Sequence, residues 1–224
     1  MNTEQYVSKF GKRIVDDYFS AIESLESGDV QLALRELERL AQSNFDPAIH
    51  SLAHCLQDGT GFDSPKMDYA IEYYTVAANL GNAASQNDLG LIYLEGTHVQ
   101  RNSGYGLQLI EKSGRQGFLP AIFNLGVLYD EGLHIEADAT KALALYEMAF
   151  KHGHKSAANH IGVFHASGRH NNPNFKLAKE WFLRGVASDD PHASKNLETL
   201  EKNLNRSPSE LKGLWSYAKI LFNQ

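Results

Sequence analysis

The chain has 224 residues, 42% of them hydrophobic, which is enough apolar material to bury a substantial core. Its 21 Lys+Arg against 27 Asp+Glu leave a formal charge of -6, which argues against a nucleic-acid partner held through phosphates. A lone cysteine, Cys55, cannot close an internal disulfide, and no apolar run approaches the roughly 20 residues that a bilayer span requires; with no signal-peptide pattern at the start, the expected setting is the cytoplasm, without a membrane partner.

The first 46 residues carry Tyr6, Phe10, Ile14, Tyr18 and Ile22 at helical spacing, then a second amphipathic run from Val30 to Ala41. In that run Ala33, Leu37 and Ala41 fall where Ala70, Tyr74 and Ala78 fall in the following segment, so residues 1–46 are expected to form a degenerate repeat. From residue 47 the chain repeats itself. Leu89-Gly90, Leu125-Gly126 and Ile161-Gly162 are 36 residues apart, as are Gly96, Gly132 and Gly168, and Gly81, Gly117 and Gly153. Leu52-Ala53 and Gly59 stand one step earlier with a single extra loop residue. The expected units are 47–82, 83–118, 119–154 and 155–190.

Each unit begins with a helix whose small and apolar residues recur at helical spacing: Ser85, Leu89, Ile92 and Tyr93, then Ala121, Leu125, Leu128 and Tyr129, then Ala157, Ile161 and Phe164. A glycine ends it, a loop of about eight residues follows, and a second helix carries Ala70-Ile71 with Tyr73-Tyr74, Ala142-Leu143 with Leu145-Tyr146, or Ala178 with Trp181-Phe182. Gly90, Gly106, Gly126 and Gly162 lie mid-helix, where glycine costs about 1 kcal/mol relative to alanine; close helix approach is the expected reason. After residue 190, Ala193 and Leu197 continue the first-helix register. Ser207-Pro208-Ser209-Glu210 then forms a capping-box pattern ahead of Leu211, Leu214, Trp215, Ala218, Leu221 and Phe222, predicting a terminal helix that caps the apolar end of a stack. Residues 191–224 are thus a partial repeat and cap, and 1–224 a single domain.

The pattern Ala-x-x-x-Leu-Gly-x-x-Tyr-x-x-Gly, a loop, then Ala-x-x-aromatic-aromatic-x-x-Ala-x-x-x-Gly resembles the Sel-one-like repeat family, a branch of the tetratricopeptide-like helical repeats. Ala121 to Gly153 matches it best. The chain departs from the family loop Gly-x-Gly-Val, keeping the second glycine only at Gly61, with His98, His134 and His170 elsewhere. Cys55 alone also sets it apart from the cysteine-rich members and the penicillin-binding activity suggested for them. The resemblance implies an all-α, right-handed α-α superhelix (solenoid) of two-helix repeats of about 36 residues, and an adaptor or scaffold that binds a protein or peptide, without a cofactor.

By motif position the resemblance also places a partner on the concave face lined by the first helices. The candidates are His50, His54 and Asp58; Asn87, Leu91, Leu94 and Glu95; Phe123, Val127, Asp130 and Glu131; and Asn159, Val163 and Ala166. They would give an apolar floor of Leu91, Phe123, Val127 and Val163 with an acidic rim suited to a basic or amide-rich segment. Alternatives are a hydrolytic or metal-dependent enzyme on the same scaffold, and a self-associating structural protein that dimerises through Trp215 and Phe222.

Among chemically capable residues, His98, His134 and His170 share one register two residues after a loop glycine. They read as turn positions, where histidine tolerates left-handed backbone, or as a pH-responsive edge; neighbouring repeats spaced about 10 Å apart keep them from sharing one metal ion. His50 and His54 have the i, i+4 spacing of two zinc ligands, but no third ligand stands in a nearby motif. His152, with His154 beyond it, marks a helix end, where a cationic ring would favour the dipole. Cys55 occupies the register of Ile92 and Leu128, which makes it core. No phosphate loop, nucleophile elbow or recurring carboxylate pair stands in the chain, so no catalytic or metal residue is assigned.

Overall fold

A computed structural model describes residues 2–168, 170 and 172–204. Among the described residues there are twelve α-helices and no strand. They form two compact units, 1–121 and 122–224, with the boundary inside the eighth helix.

In the first unit the N-terminal run is split. Gly11 adopts a φ of 88° between α1 (Thr3–Phe10) and α2 (Lys12–Glu26), so the single amphipathic run becomes two helices. Both still bury their apolar stripe: Tyr6, Phe10, Ile14, Tyr18 and Ile22 pack against the buried cluster of Val15, Leu34, Leu37, Leu40 and Phe45. α3 (Val30–Ala41) supplies the middle of that cluster, and α4 (Asp46–Asp58) and α5 (Met67–Leu80) pair beyond it. Cys55 is buried there, and burial raises its thiol pKa, which suits a core residue rather than a nucleophile.

α6 (Ala83–Glu95) and α7 (Ser103–Arg115) form the next pair. They approach so closely that a methyl group on Gly106 would lie 2.6 Å from the Gly90 carbonyl oxygen. α6 ends at Gly96, left-handed at φ 70°, where a side chain would strain the backbone and meet Arg101. Polar groups tie α6 to both neighbours: the Gln86 amide donates to the Ala78 carbonyl of α5 and accepts from the Gln116 amide just past α7, and the Ser113 hydroxyl of α7 donates to the Ala83 carbonyl. A buried amide satisfied in this way fixes register, because leaving it unpaired costs about 1–3 kcal/mol.

The second unit holds most of α8 (Leu119–Glu131), then α9 (Ala139–Lys151), α10 (Ala157–Ser167), α11 (Phe175–Ala187) and α12 (Pro191–Leu204). Tyr146, Ala158, Ile161 and Trp181 form one buried cluster, and Ala166, Ala178, Phe182 and Leu200 another. Three second helices start on a side-chain cap: Asn102, Asp138 and Asn174 each accept from the backbone N–H three residues on. These residues are 36 apart, a row with its own physical reason. The expected capping helix from Ser207, with Trp215 and Phe222, lies outside the described residues.

Candidate functional site

In the first unit, α4 and α6 are the first helices of consecutive repeats, and a groove of about 460 Å³ runs beside them. His54, Leu91 and Glu95 of the predicted set line it, joined by Gln57, Tyr74 and Asp88. Tyr74 is buried and donates to Gln57 Oε1 at 3.0 Å. His54 Nδ1 is 3.0 Å from Asp58 Oδ2 within α4. His50 is partly buried; its Nδ1 is 3.0 Å from Ser85 Oγ and 3.8 Å from Asp88 Oδ2. Burial lowers the His50 pKa and raises that of the Asp88 carboxyl.

A serine, a histidine and an aspartate thus stand together, but not as a nucleophilic triad. Ser85 and Asp88 both face Nδ1, so the imidazole cannot take a proton from one on one nitrogen while the other orients its opposite nitrogen. Ser85 is also fully buried, beyond the reach of a substrate. His50 and His54 each have a local partner, and no cluster of three or more His, Cys, Asp or Glu among the described residues is arranged to hold a metal ion.

Two predicted residues of this unit are not on a partner-facing surface. Leu94 is 2% exposed and faces α7, with its Cγ 3.0 Å from where a Gly106 methyl would stand. Asn87 is 4% exposed, and its amide donates to Asp88 Oδ1 at 3.0 Å.

In the second unit the predicted apolar floor is mostly packed. Phe123 stacks on His154 at 4.2 Å between centroids and meets His160 edge-on at 4.7 Å. Val127 packs on the cluster of Tyr146, Ile161 and Trp181, and Val163 on that of Ala166 and Phe182. Asn159 is buried and accepts from the Asn196 amide, and Ala166 is fully buried. Asp130 joins two elements, 2.7 Å from His170 Nε2 and 3.4 Å from the Tyr146 hydroxyl, which donates to it. Glu131, next in the chain, is exposed.

The histidines also differ from expectation. The described non-glycine residues with positive φ are Asn44 and Asp189, so His98, His134 and His170 do not occupy left-handed positions. His170 stacks on Phe164 and faces Asp130; the loop histidine serves as a contact across the repeat. His154 does not act as a cation at the end of α9. Its ring lies on Phe123, Nδ1 is buried without a hydrogen-bond partner, and burial, then the nearby His160, lower its pKa.

That depression sets a pH dependence. The unfolded chain takes up a proton as pH falls through about 6.5, whereas the folded ring resists it, so this contribution to stability is present above pH 6.5 and is lost as pH falls below it. The urea midpoint is expected to drop between pH 7.5 and 5.5. His154→Phe, which places the residue found one repeat earlier at Phe118, should reduce that drop; an unchanged drop would remove His154 from the account.

A family model, the Sel1 repeat, matches four consecutive stretches, 46–82, 83–118, 119–154 and 155–190. The chain belongs to the Sel1 repeat family. Its fold class is accordingly the all-α solenoid of two-helix repeats of about 36 residues. Among solved structures, this Sel1 repeat chain is similar to a Sel1 repeat protein from Oxalobacter formigenes, with 25% identity and a TM-score of 0.70 over 81% of this chain and 72% of that one. It is also similar in fold to c5321, a protective antigen of uropathogenic Escherichia coli strains, with 22% identity and a TM-score of 0.70 over 88% of this chain. The Sel1 repeat chain spans 43% of that protein's length. No curated protein sequence gives a match. None of the described helices is long and apolar enough to cross a membrane.

Proposed function

We propose that this Sel1 repeat protein is a protein-interaction scaffold, and that the groove beside α4 and α6 receives a segment of its partner. The observation that carries the reading is the groove itself. After the motif residues Leu52, Ala53, Leu89 and Gly90 have filled the core, Leu91 remains partly exposed on a groove wall with His54 and Glu95 around it. An apolar anchor with a polar rim is the anatomy of a protein-binding patch. Phe123 and Val127, by contrast, are engaged in packing, so their substitution would test folding before it tested binding.

Site-specific photocrosslinking in the native cell separates this reading from the alternatives. A benzophenone side chain at Leu91 is expected to give a discrete adduct with another protein, and the same group at exposed Lys112 on α7 is expected to give none. Equal adducts from both positions, or none from Leu91, would count against the groove. An adduct of twice the chain mass would point instead to self-association.

A further inference from the structure

The groove beside α4 and α6 is lined by acids and has no cation of its own. Asp88 and Glu95 project into it from α6, none of the described lining residues is lysine or arginine, and the other titratable lining groups are the imidazoles of His54 and His98 and the Tyr74 phenol; Asp58, at the end of α4, pairs with His54. Leu91, Ile92 and Met67 supply apolar wall. Asp88 is the most enclosed of the acids, with its side chain 30% exposed against 46% for Asp58. Its Oδ1 accepts from the Asn87 amide, and its Oδ2 is 3.8 Å from a His50 nitrogen already within 3.0 Å of Ser85 Oγ. Burial keeps that imidazole towards its neutral form and pushes the Asp88 carboxyl upward, so neither neighbour supplies a full countercharge. A carboxylate against an apolar wall is poorly solvated, and an arriving cation offsets that cost.

We propose that the groove receives the arginine or lysine side chain of a basic peptide segment, its charged head on Asp88 and its aliphatic stem along Leu91, with Glu95, about two turns further along α6, adding to the negative field. This rests on the reading above that the groove takes a protein segment, and adds the chemistry of the guest. Long cationic side chains suit such a site because the methylene stem buries apolar surface while the head remains with the acids.

The test uses the full chain and a random-peptide phage library, followed by fluorescence anisotropy on one selected peptide made synthetically. Selected sequences are expected to carry Arg or Lys next to an aliphatic residue. Replacing that arginine by citrulline, or that lysine by acetyl-lysine, should weaken binding about tenfold to a hundredfold, the range for losing a charge-assisted hydrogen bond. Asp88→Asn should weaken it about tenfold and Glu95→Gln by a smaller factor, while Glu72→Gln on α5 should leave it unchanged. Glu95 is exposed, so its variant folds irrespective of the outcome at Asp88, and thermal melts check both. Peptides that lack a basic residue, or that bind Asp88→Asn and Glu95→Gln as tightly as wild type, overturn the proposal. If such peptides nevertheless lose binding to Leu91→Asp, the groove reading stands and only the cationic guest falls. Failure to select any peptide overturns both.

Discussion

Gly106→Ala is expected to lower stability by about 1 kcal/mol, while Gly104→Ala, two residues earlier in the same helix, is expected to raise it by up to about 1 kcal/mol. Alanine gains about 1 kcal/mol over glycine in a helix interior, a term that applies in full at Gly106 and in part at Gly104, the second residue of α7. The difference lies in what the methyl meets. At Gly104 the nearest atom is Asn102 Oδ1 at 3.8 Å, an ordinary contact. At Gly106 the methyl would stand 2.6 Å from the Gly90 carbonyl oxygen and 3.0 Å from Leu94 Cγ. A backbone oxygen cannot rotate away, so α6 and α7 must separate, and overpacking of that kind costs about 1–3 kcal/mol, which outweighs the propensity gain. Gly90→Ala meets the same contact from the other side, at 2.8 Å from the Gly106 oxygen. The double variant should therefore lose less than the sum of the singles, since helices already spread by one methyl admit the second more cheaply. Urea unfolding of the four variants and the wild type checks this; a Gly106→Ala chain as stable as wild type would show that the short approach is not a constraint on folding.

The same contact explains what could and could not be read from the sequence. Two-helix units, helix-ending glycines and small mid-helix residues were legible because each repeats at 36 residues with a local cause. The N-cap row Asn102, Asp138 and Asn174 repeats as regularly and was equally available, but it lies outside the apolar pattern. The partner-facing surface was less legible. A helical register says which face a residue occupies, but not how near the neighbouring helix comes. The register places Leu94 on the surface, but the missing side chain at Gly106 brings α7 over it. The register places Phe123 on a floor for a partner, but His154 stacks on its ring and His160 meets it at right angles. Asp88 carries no motif signal. Its place in the groove follows from its proximity to His50 across the gap between α4 and α6, a distance set by packing. The break at Gly11 was hidden for a related reason: the apolar stripe continues in register on both sides of the glycine, and only its φ of 88° divides the helix.

Phe45→Ala should be the most damaging single substitution in the N-terminal part of the chain, with a loss of about 3–5 kcal/mol, the range for truncating a buried aromatic. Phe45 is 1% exposed and meets three rings edge-on, Tyr6 at 5.5 Å, Phe10 at 5.2 Å and Tyr18 at 5.4 Å. Two of those rings belong to α1 and one to α2, so a single side chain at the start of α4 fastens both N-terminal helices. α1 has no buried residue of its own; besides the packing of Tyr6, Val7 and Phe10 on the cluster around Phe45, it is tied by the Tyr6 hydroxyl donating to Asp46 at 2.7 Å. Hydrogen exchange should therefore report the loss unevenly. Amides of α1 and α2 are expected to exchange about a hundredfold faster in the variant, while those of α6 and α7, whose contacts are untouched, should slow or quicken little. Phe19→Ala is the control, since that ring is 52% exposed and its removal should change stability by about 0.5 kcal/mol or less. Uniform acceleration across α1 to α7 would mean that the N-terminal helices are integral to the cooperative unit and not a cap fastened to it by Phe45.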